Sequence, residues 1–386
     1  MSTQITNKLI SWASVIDEGT IRQATKTSRM DIVVDHIALM PDAHVGIGAT
    51  VGSVIPTKSA VIPSAVGVDI GCGMIAVQLD IKGDQLPDNL TPLLNDIAVA
   101  VPSGVGTAHT ISTKYANNWF QSHSIQSDII KDHLSTASKQ FGTLGSGNHF
   151  IEICLDENNN VWIVLHSGSR GIGNKVGTTH IKTAKSLAKQ LEIRLEDPDL
   201  AYFMEGTPEF QAYINDMLWC QEYAKGNRDA MMNTVLNVVV KHLGIGREIN
   251  RINCHHNFTQ KEIHNNAEMW ITRKGAIKAD IGDMGIIPGS MGTSTFIVKG
   301  KGNVQSWKSC SHGAGRKMSR GEARRNITTE HLVSEMEGKT WLVSDANKLI
   351  DESPSSYKDI NQVMQDQNDL IEIVHTLYQV LNYKGT

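Results

Sequence analysis

Apolar residues recur along this chain mostly in short runs, separated by clusters of glycine and small polar residues. That spacing predicts strands joined by glycine-rich loops, interrupted by a few longer helical stretches. Ile32–Met40 is apolar and predicts a strand that Pro41 ends, which puts Asp42 and His44 on a loop. Gly52–Ala65 carries two prolines and predicts an edge strand followed by loop. Ile75–Leu79, Phe150–Leu155, Val161–Leu165, Trp270–Lys274 and Phe296–Lys299 predict further strands, with Asp156–Asn160 as a hairpin turn. Asp283–Met291 and the residues after it predict a loop of small residues.

Helical spacing marks 18–28, Leu86–Val99, Ser127–Lys139 and 174–195, the last through Ile181, Ala184, Ala188 and Leu191. Residues 209–243 predict two helices, or one broken near Gly226. Pro102–Ser122 predicts a polar loop, and His264 a polar helix or loop. Beyond Pro354, a last helix is expected to begin at Ile360, Val363 and Met364 and to carry Leu370, Ile371, Val374 and Leu377 on one face. No repeat, linker or low-complexity run divides the pattern, so one composite domain over 1–386 is expected.

With 386 residues the chain can bury a large core without staples. A net charge of −4 means that contact with nucleic acid has to come from a local patch. The five cysteines are widely spaced with no CxxC pair. Met1-Ser2-Thr3-Gln4 opens no signal segment, and no apolar run approaches the ~20 residues needed to span a bilayer. No membrane association is expected, and cytoplasmic residence with reduced thiols is the reading that follows.

Candidate chemistry concentrates in Ser309-Cys310-Ser311-His312-Gly313-Ala314-Gly315-Arg316. Small residues let backbone N–H groups approach a phosphate, and a histidine beside such a nest can attack phosphorus. Lys299, Lys301, Lys308, Arg316, Lys317, Arg320, Arg324 and Arg325 surround it, against one acid, Glu322. That local field suits polyphosphate or a nucleic-acid backbone. A glycine turn on a solvated basic face is the plain alternative.

Several metal-ligand types also stand in glycine-rich loops at strand ends. Asp69 and Cys72 lie three apart in Gly67-Val68-Asp69-Ile70-Gly71-Cys72-Gly73. A carboxylate and a thiolate there suit Mn, Fe, Co or Zn, and a thiolate can bridge two ions. A buried cysteine in a tight turn is the competing reading. His149 opens one predicted strand and His166 closes its hairpin partner, so the two face each other. In Asn253-Cys254-His255-His256-Asn257 the adjacent histidines point to opposite sides of an extended backbone, so one of them can be a ligand. With Asp69, Cys72, His149, His166 and His256, the donors exceed one tetrahedral site and fit two metals sharing a thiolate. Arg170 is placed to grip phosphate.

The segments PDAH, GVDIGCGM, GTLGSGNHFIE, HSGSRG, CHHN, KGAI, IPGSMGT and SCSHGAGR, in this order from about Ile37 to Gly385, resemble those of the RtcB RNA ligases. The resemblance implies an α+β fold of packed, mainly antiparallel sheets with peripheral helices. It implies a GTP- and Mn²⁺-dependent ligase joining RNA 3′-phosphate or 2′,3′-cyclic phosphate ends to 5′-hydroxyl ends, in RNA repair or tRNA splicing. By motif position, His312 would carry GMP. Two Mn²⁺ would be held by Asp69, Cys72, His149, His166 and His256, with Cys72 bridging. The resemblance selects His256 over His255, since the matching histidine directly precedes Asn257. GTP contacts would come from Asn148, His149, Phe150, Ile151, Glu152, His256, Asn257, Pro288, Gly289, Ser290, Met291, Thr295, Gly313, Ala314, Gly315 and Lys384. Thr295 stands where the family commonly has serine, and here residues follow the usual Lys-Gly end. Asp42 is assigned to orient His312. Arg170, Lys274 and Arg316 are assigned to RNA phosphates. Partners are RNA with broken ends and GTP, with room for an accessory activating protein. Two rival readings are a metal-dependent phosphoesterase that opens cyclic phosphates without ligation and a non-catalytic RNA binder. The first has no use for His312, the second none for the metal ligands.

Overall fold

The structure is a computed structural model that describes residues 2–386. Two large sheets dominate. The six-stranded sheet runs in the order Thr3–Thr6, Leu9–Ser11, Ile37–His44, Val51–Thr57, Ala267–Lys274, Asn257–His264. All its pairs are antiparallel except Leu9–Ser11 with Ile37–His44. The second sheet runs Glu248–His255, Gly73–Lys82, Asn160–Ser167, Phe150–Leu155, Ile371–Lys384, Thr295–Gly300, Met284–Pro288. Its first and last strands return toward each other, so the sheet nearly closes. The α+β class follows.

Helices cover the outside. Pro208–Leu243 begins with Thr207 accepting from the Phe210 N–H and Pro208 at the first turn, and ends at Gly244 in the left-handed region. Together with Arg170–Gln190 it buries an aromatic and aliphatic cluster that includes Phe141, Tyr213, Met217 and Tyr223. On another side, Met231, Val235 and Val239 close over Ile75, Val77, Ile151 and Ile163 of the second sheet. No helix among the described residues is long and apolar enough to cross a membrane.

Several sequence expectations are corrected. Pro41 does not end its strand: Ile37–His44 is continuous, and a register irregularity between Leu39 and His44 takes Pro41 and Asp42 out of the ladder. Val51–Thr57 is internal, not an edge, and the Pro56 carbonyl accepts from Val34. Lys114–Ser122 forms a helix inside the expected polar loop, and Ser127–Lys139 is split into two helices at His133. His264 ends a strand, and Met284–Pro288 is a strand that leads into the small-residue loop. The expected last helix stops at Asp366, and Ile371–Lys384 is a strand of 14 residues.

Candidate active site

The site lies where the two sheets hand the chain to each other. His256 is the single residue between Glu248–His255 of one sheet and Asn257–His264 of the other. Cys72 precedes Gly73–Lys82, His149 precedes Phe150–Leu155, and His166 stands near the end of Asn160–Ser167. Antiparallel pairing sets Met74 and Phe150 opposite His166, which draws these strand ends together. His312 follows the short strand Ser309–Ser311, which pairs with Ala276–Lys278.

Five donor atoms converge. Cys72 Sγ lies 3.5 Å from His149 Nε2 and 3.2 Å from His166 Nε2. His149 Nε2 lies 3.2 Å from Asp69 Oδ2, and His166 Nε2 lies 2.9 Å from His256 Nε2. The donors form two triads, Asp69–Cys72–His149 and Cys72–His166–His256, each within 4.8 Å, with Cys72 common to both. His149 Nδ1 donates to the Leu144 carbonyl at 2.9 Å and His166 Nδ1 to that of Asn148 at 3.2 Å. A carbonyl only accepts, so both Nε2 lone pairs face the cluster.

The chemistry of this donor set fits divalent cations. Burial drives His166 and His256 well below the ordinary histidine range, so they stand in the neutral, ligating form. Burial and the Asp69 carboxylate push the Cys72 thiol up, so a thiolate there needs a cation beside it. Burial opposes ionisation of Asp69, but His149 outweighs it and holds the carboxyl down to about 2.

Behind this cluster Arg228, fully buried, donates to the carbonyls of Gly71 and Ser167 at 2.8 and 3.1 Å and to Asn253 Oδ1 at 2.8 Å. It ties the loop before Cys72 to the strand that carries His166. Asn227, one residue earlier, caps the Gly142 N–H at 2.7 Å. Neither residue belongs to a glycine-rich motif, and the sequence offered no signal for them beyond a polar pair inside an apolar helical stripe.

Asp42 holds His312. Its buried Oδ2 accepts from His312 Nδ1 at 2.6 Å and from the His312 backbone N–H at 3.2 Å. Burial opposes ionisation of Asp42, but His312 keeps its carboxyl below the usual range. The His312 ring lies 4.7 Å from that of His256, between centroids. Gly315 takes a φ of 72°, and a Cβ there would fall 2.3 Å from the Asp42 carbonyl oxygen, so the turn after His312 needs glycine.

A cavity of about 490 Å³ opens over these groups. Its lining includes Asn148, Phe150, Glu152, Asn257, Pro288 to Met291, Gly313 to Gly315 and Lys384. Burial, offset only in part by Lys384 and Asn382, pushes Glu152 up to about 8. His149, Ile151 and Thr295 from the same expected nucleotide set do not line it; Ile151 lies in the core under the second sheet. The same lining includes His44, Ile47, Ser64, Val68, Ile181 and Lys185.

The expected phosphate-binding cations are separated. Lys274 lines the cavity, its ammonium on the carbonyls of Ile47 and Ser64, and burial pulls it down to about 8. Arg316 lines it too, but its guanidinium is turned onto Glu352, Asp351 and Tyr357. Arg170 lies outside the cavity lining, with Nε on Thr143 Oγ1 at 3.0 Å.

The basic surround read from 299–325 is also corrected. Asp351 and Glu352, buried and distant in sequence, take Arg320 at 2.5 Å each, and Asp351 takes Arg324 at 2.6 Å. Glu352 also meets Lys384 at 3.0 Å and Arg316 at 3.5 Å, while Lys308 pairs with Asp280 at 2.9 Å. Much of the apparent field is therefore internal ion pairing.

Comparisons with known proteins cover nearly the whole chain. Residues 23–385 match the family model described as tRNA-splicing ligase RtcB. The chain is 46% identical to the RNA-splicing ligase RtcB of Escherichia coli strain K12, covering 94% of this chain and 93% of that protein. RNA-splicing ligase RtcB1 of Escherichia coli strain ATCC 25922 is also 46% identical over the same shares. The tRNA-splicing ligase RtcB of Nanoarchaeum equitans is 28% identical, over 92% of this chain and 88% of that protein.

Proposed function

This chain belongs to the RtcB family, and from that premise we propose that it is an RNA ligase working through a GMP–histidine intermediate on His312. The observation that carries the reading is the Asp42–His312 pair beside the five-donor cluster. Asp42 Oδ2 sits on Nδ1 at 2.6 Å, so the Nδ1 proton is held and Nε2 keeps its lone pair for phosphorus.

The steps follow. His312 Nε2 attacks the α-phosphorus of GTP, and pyrophosphate leaves. Lys384, Glu152 and the loop Pro288 to Met291 hold the nucleotide. Backbone N–H groups of Gly313 to Gly315 face the transferring phosphate. Two Mn²⁺ held by Asp69, Cys72, His149, His166 and His256 would neutralise charge on the phosphates. An RNA 3′-phosphate oxygen then attacks the phosphorus on His312. This frees the imidazole and leaves an RNA-(3′)pp(5′)G end. The 5′-hydroxyl of the second RNA attacks the 3′-phosphorus, and GMP departs. A 2′,3′-cyclic phosphate is first opened by water. Lys274 contributes to holding RNA phosphates; Arg316 and Arg170 act chiefly through the contacts that occupy them.

The test is incubation of the full chain with Mn²⁺ and α-³²P-GTP, followed by a denaturing gel. Acid-labile label that is absent from His312→Ala supports the intermediate. No label on the wild-type chain with metal bound would replace ligation by phosphoester hydrolysis.

A further inference from the structure

Asp42 ties down two imidazoles. Its carboxylate holds His312 Nδ1, and its backbone carbonyl oxygen accepts from His44 Nδ1 at 2.9 Å. Because a carbonyl only accepts, the proton of neutral His44 sits on Nδ1 and the lone pair on Nε2. That Nε2 has no hydrogen-bond partner among the described residues, and His44 lines the same cavity as His256 and His312. Burial pulls His44 below the ordinary histidine value. The Asp42 carbonyl and carboxylate oppose this, and His312 and Lys358 reinforce it. Lys185, Lys274, Arg316, Arg320 and Lys384 are the further cations that line the same cavity. A neutral imidazole with its basic nitrogen open to a substrate cavity, beside the nucleophile, has the form of a general base.

We propose that His44 is the general base that deprotonates the RNA 5′-hydroxyl in the sealing step, an inference that rests on the ligation chemistry above. The hydroxyl proton passes to His44 Nε2 as the 5′-oxygen bonds to the 3′-phosphorus. The bond from that phosphorus to the oxygen bridging to GMP breaks, and GMP leaves with the electron pair. One cavity then serves both substrates, with the guanine nucleotide held at Glu152 and Lys384 and the 5′-hydroxyl brought to His44.

The experiment supplies Mn²⁺-loaded full chain with an RNA that already carries a 3′pp5′G end and a second RNA with a 5′-hydroxyl. Sealing rates are read from pH 5.5 to 9 for wild type, His44→Ala, His44→Gln and His44→Asn, with melting curves as the check on folding. Asparagine keeps a donor for the Asp42 carbonyl but has no basic nitrogen. All three variants are expected to seal about 100-fold or more slowly and to lose the rise in rate on the acid side. GMP labelling of His312 is expected to fall by a smaller factor. Normal sealing by a folded His44→Asn or His44→Gln, or equal losses in labelling and sealing, would reduce His44 to a support for Asp42 and overturn the proposal. Failure of the wild type to seal the activated end would instead overturn the ligation reading itself.

Discussion

Asp42, within the strand Ile37–His44, and His312, just after the short strand Ser309–Ser311, meet through a 2.6 Å contact between Oδ2 and Nδ1, with the carboxylate fully buried. The pair has one chemically productive arrangement, with the proton on Nδ1. Asp42→Asn would offer an amide that can donate to Nδ1 and so put the proton on Nε2. That variant is expected to slow guanylylation by about 10³-fold or more, since a triad histidine in the wrong tautomer loses a comparable factor. The measurement is the initial rate of GMP labelling. His312→Ala should show no label. Asp42→Asn labelling at the wild-type rate would remove Asp42 from the mechanism.

Cys72 is the one donor common to both triads of the cluster. Cys72→Ala is therefore expected to disturb both positions, whereas loss of His256 disturbs one. Metal analysis after gel filtration should find fewer than two Mn²⁺ per chain in Cys72→Ala, and excess Mn²⁺ should not restore activity. Full rescue by metal would mean that the sulfur ligates at most one ion.

What was legible in the sequence was local chemistry; what was not was long-range pairing. Asp69, Cys72, His149, His166 and His256 could be picked out because their residue types stand in glycine loops at strand ends, and the structure brings those atoms together. The C-terminal strand was misread because Leu370, Ile371, Val374 and Leu377 satisfy a helical spacing. Yet Ile371–Lys384 lies between Phe150–Leu155 and Thr295–Gly300, where sheet pairing decides. Gly226 looked like a break in a helix. Its helix is continuous, and a Cβ there would fall 2.6 Å from Trp119 Nε1, so the glycine makes room for a neighbouring helix. Asp351 and Glu352 gave no sign that they would neutralise Arg320, 31 and 32 residues away.

Lys274 provides a pH test. Its folded-state value of about 8 lies below the 10.5 of an unperturbed lysine. Between those values the unfolded chain binds the additional proton, so this group makes stability rise with pH across that window. Urea unfolding at steps from pH 7 to 10.5 should show that rise in the wild type and a smaller one in Lys274→Met. Equal slopes would mean that the ammonium is better solvated than its place on the Ile47 and Ser64 carbonyls indicates.

Glu352 is where the cations of the SHGAGR stretch and the C-terminal strand are tied together, because it meets Arg316, Arg320 and Lys384 at once. Burial opposes its ionisation, but Lys384, Arg320 and Arg316 outweigh burial and hold the carboxyl down at about 2, against 4.5 for a free side chain. A depressed carboxyl adds stability that is complete above the unfolded value and lost as pH falls through the folded one. The difference corresponds to about 3 kcal/mol at neutral pH, taking about 1.4 kcal/mol per unit. Glu352→Gln is therefore expected to lower the unfolding free energy by roughly that amount at pH 7, and by progressively less below pH 4.5. Lys384 lines the cavity among the residues proposed to hold GTP, so the same variant should also weaken GTP binding while leaving the Asp42–His312 contact intact. Paired urea titrations at pH 7 and pH 3.5, with GTP binding measured at pH 7, separate the two effects. A stability difference that does not shrink on acidification would show that the loss comes from packing, not from the charge.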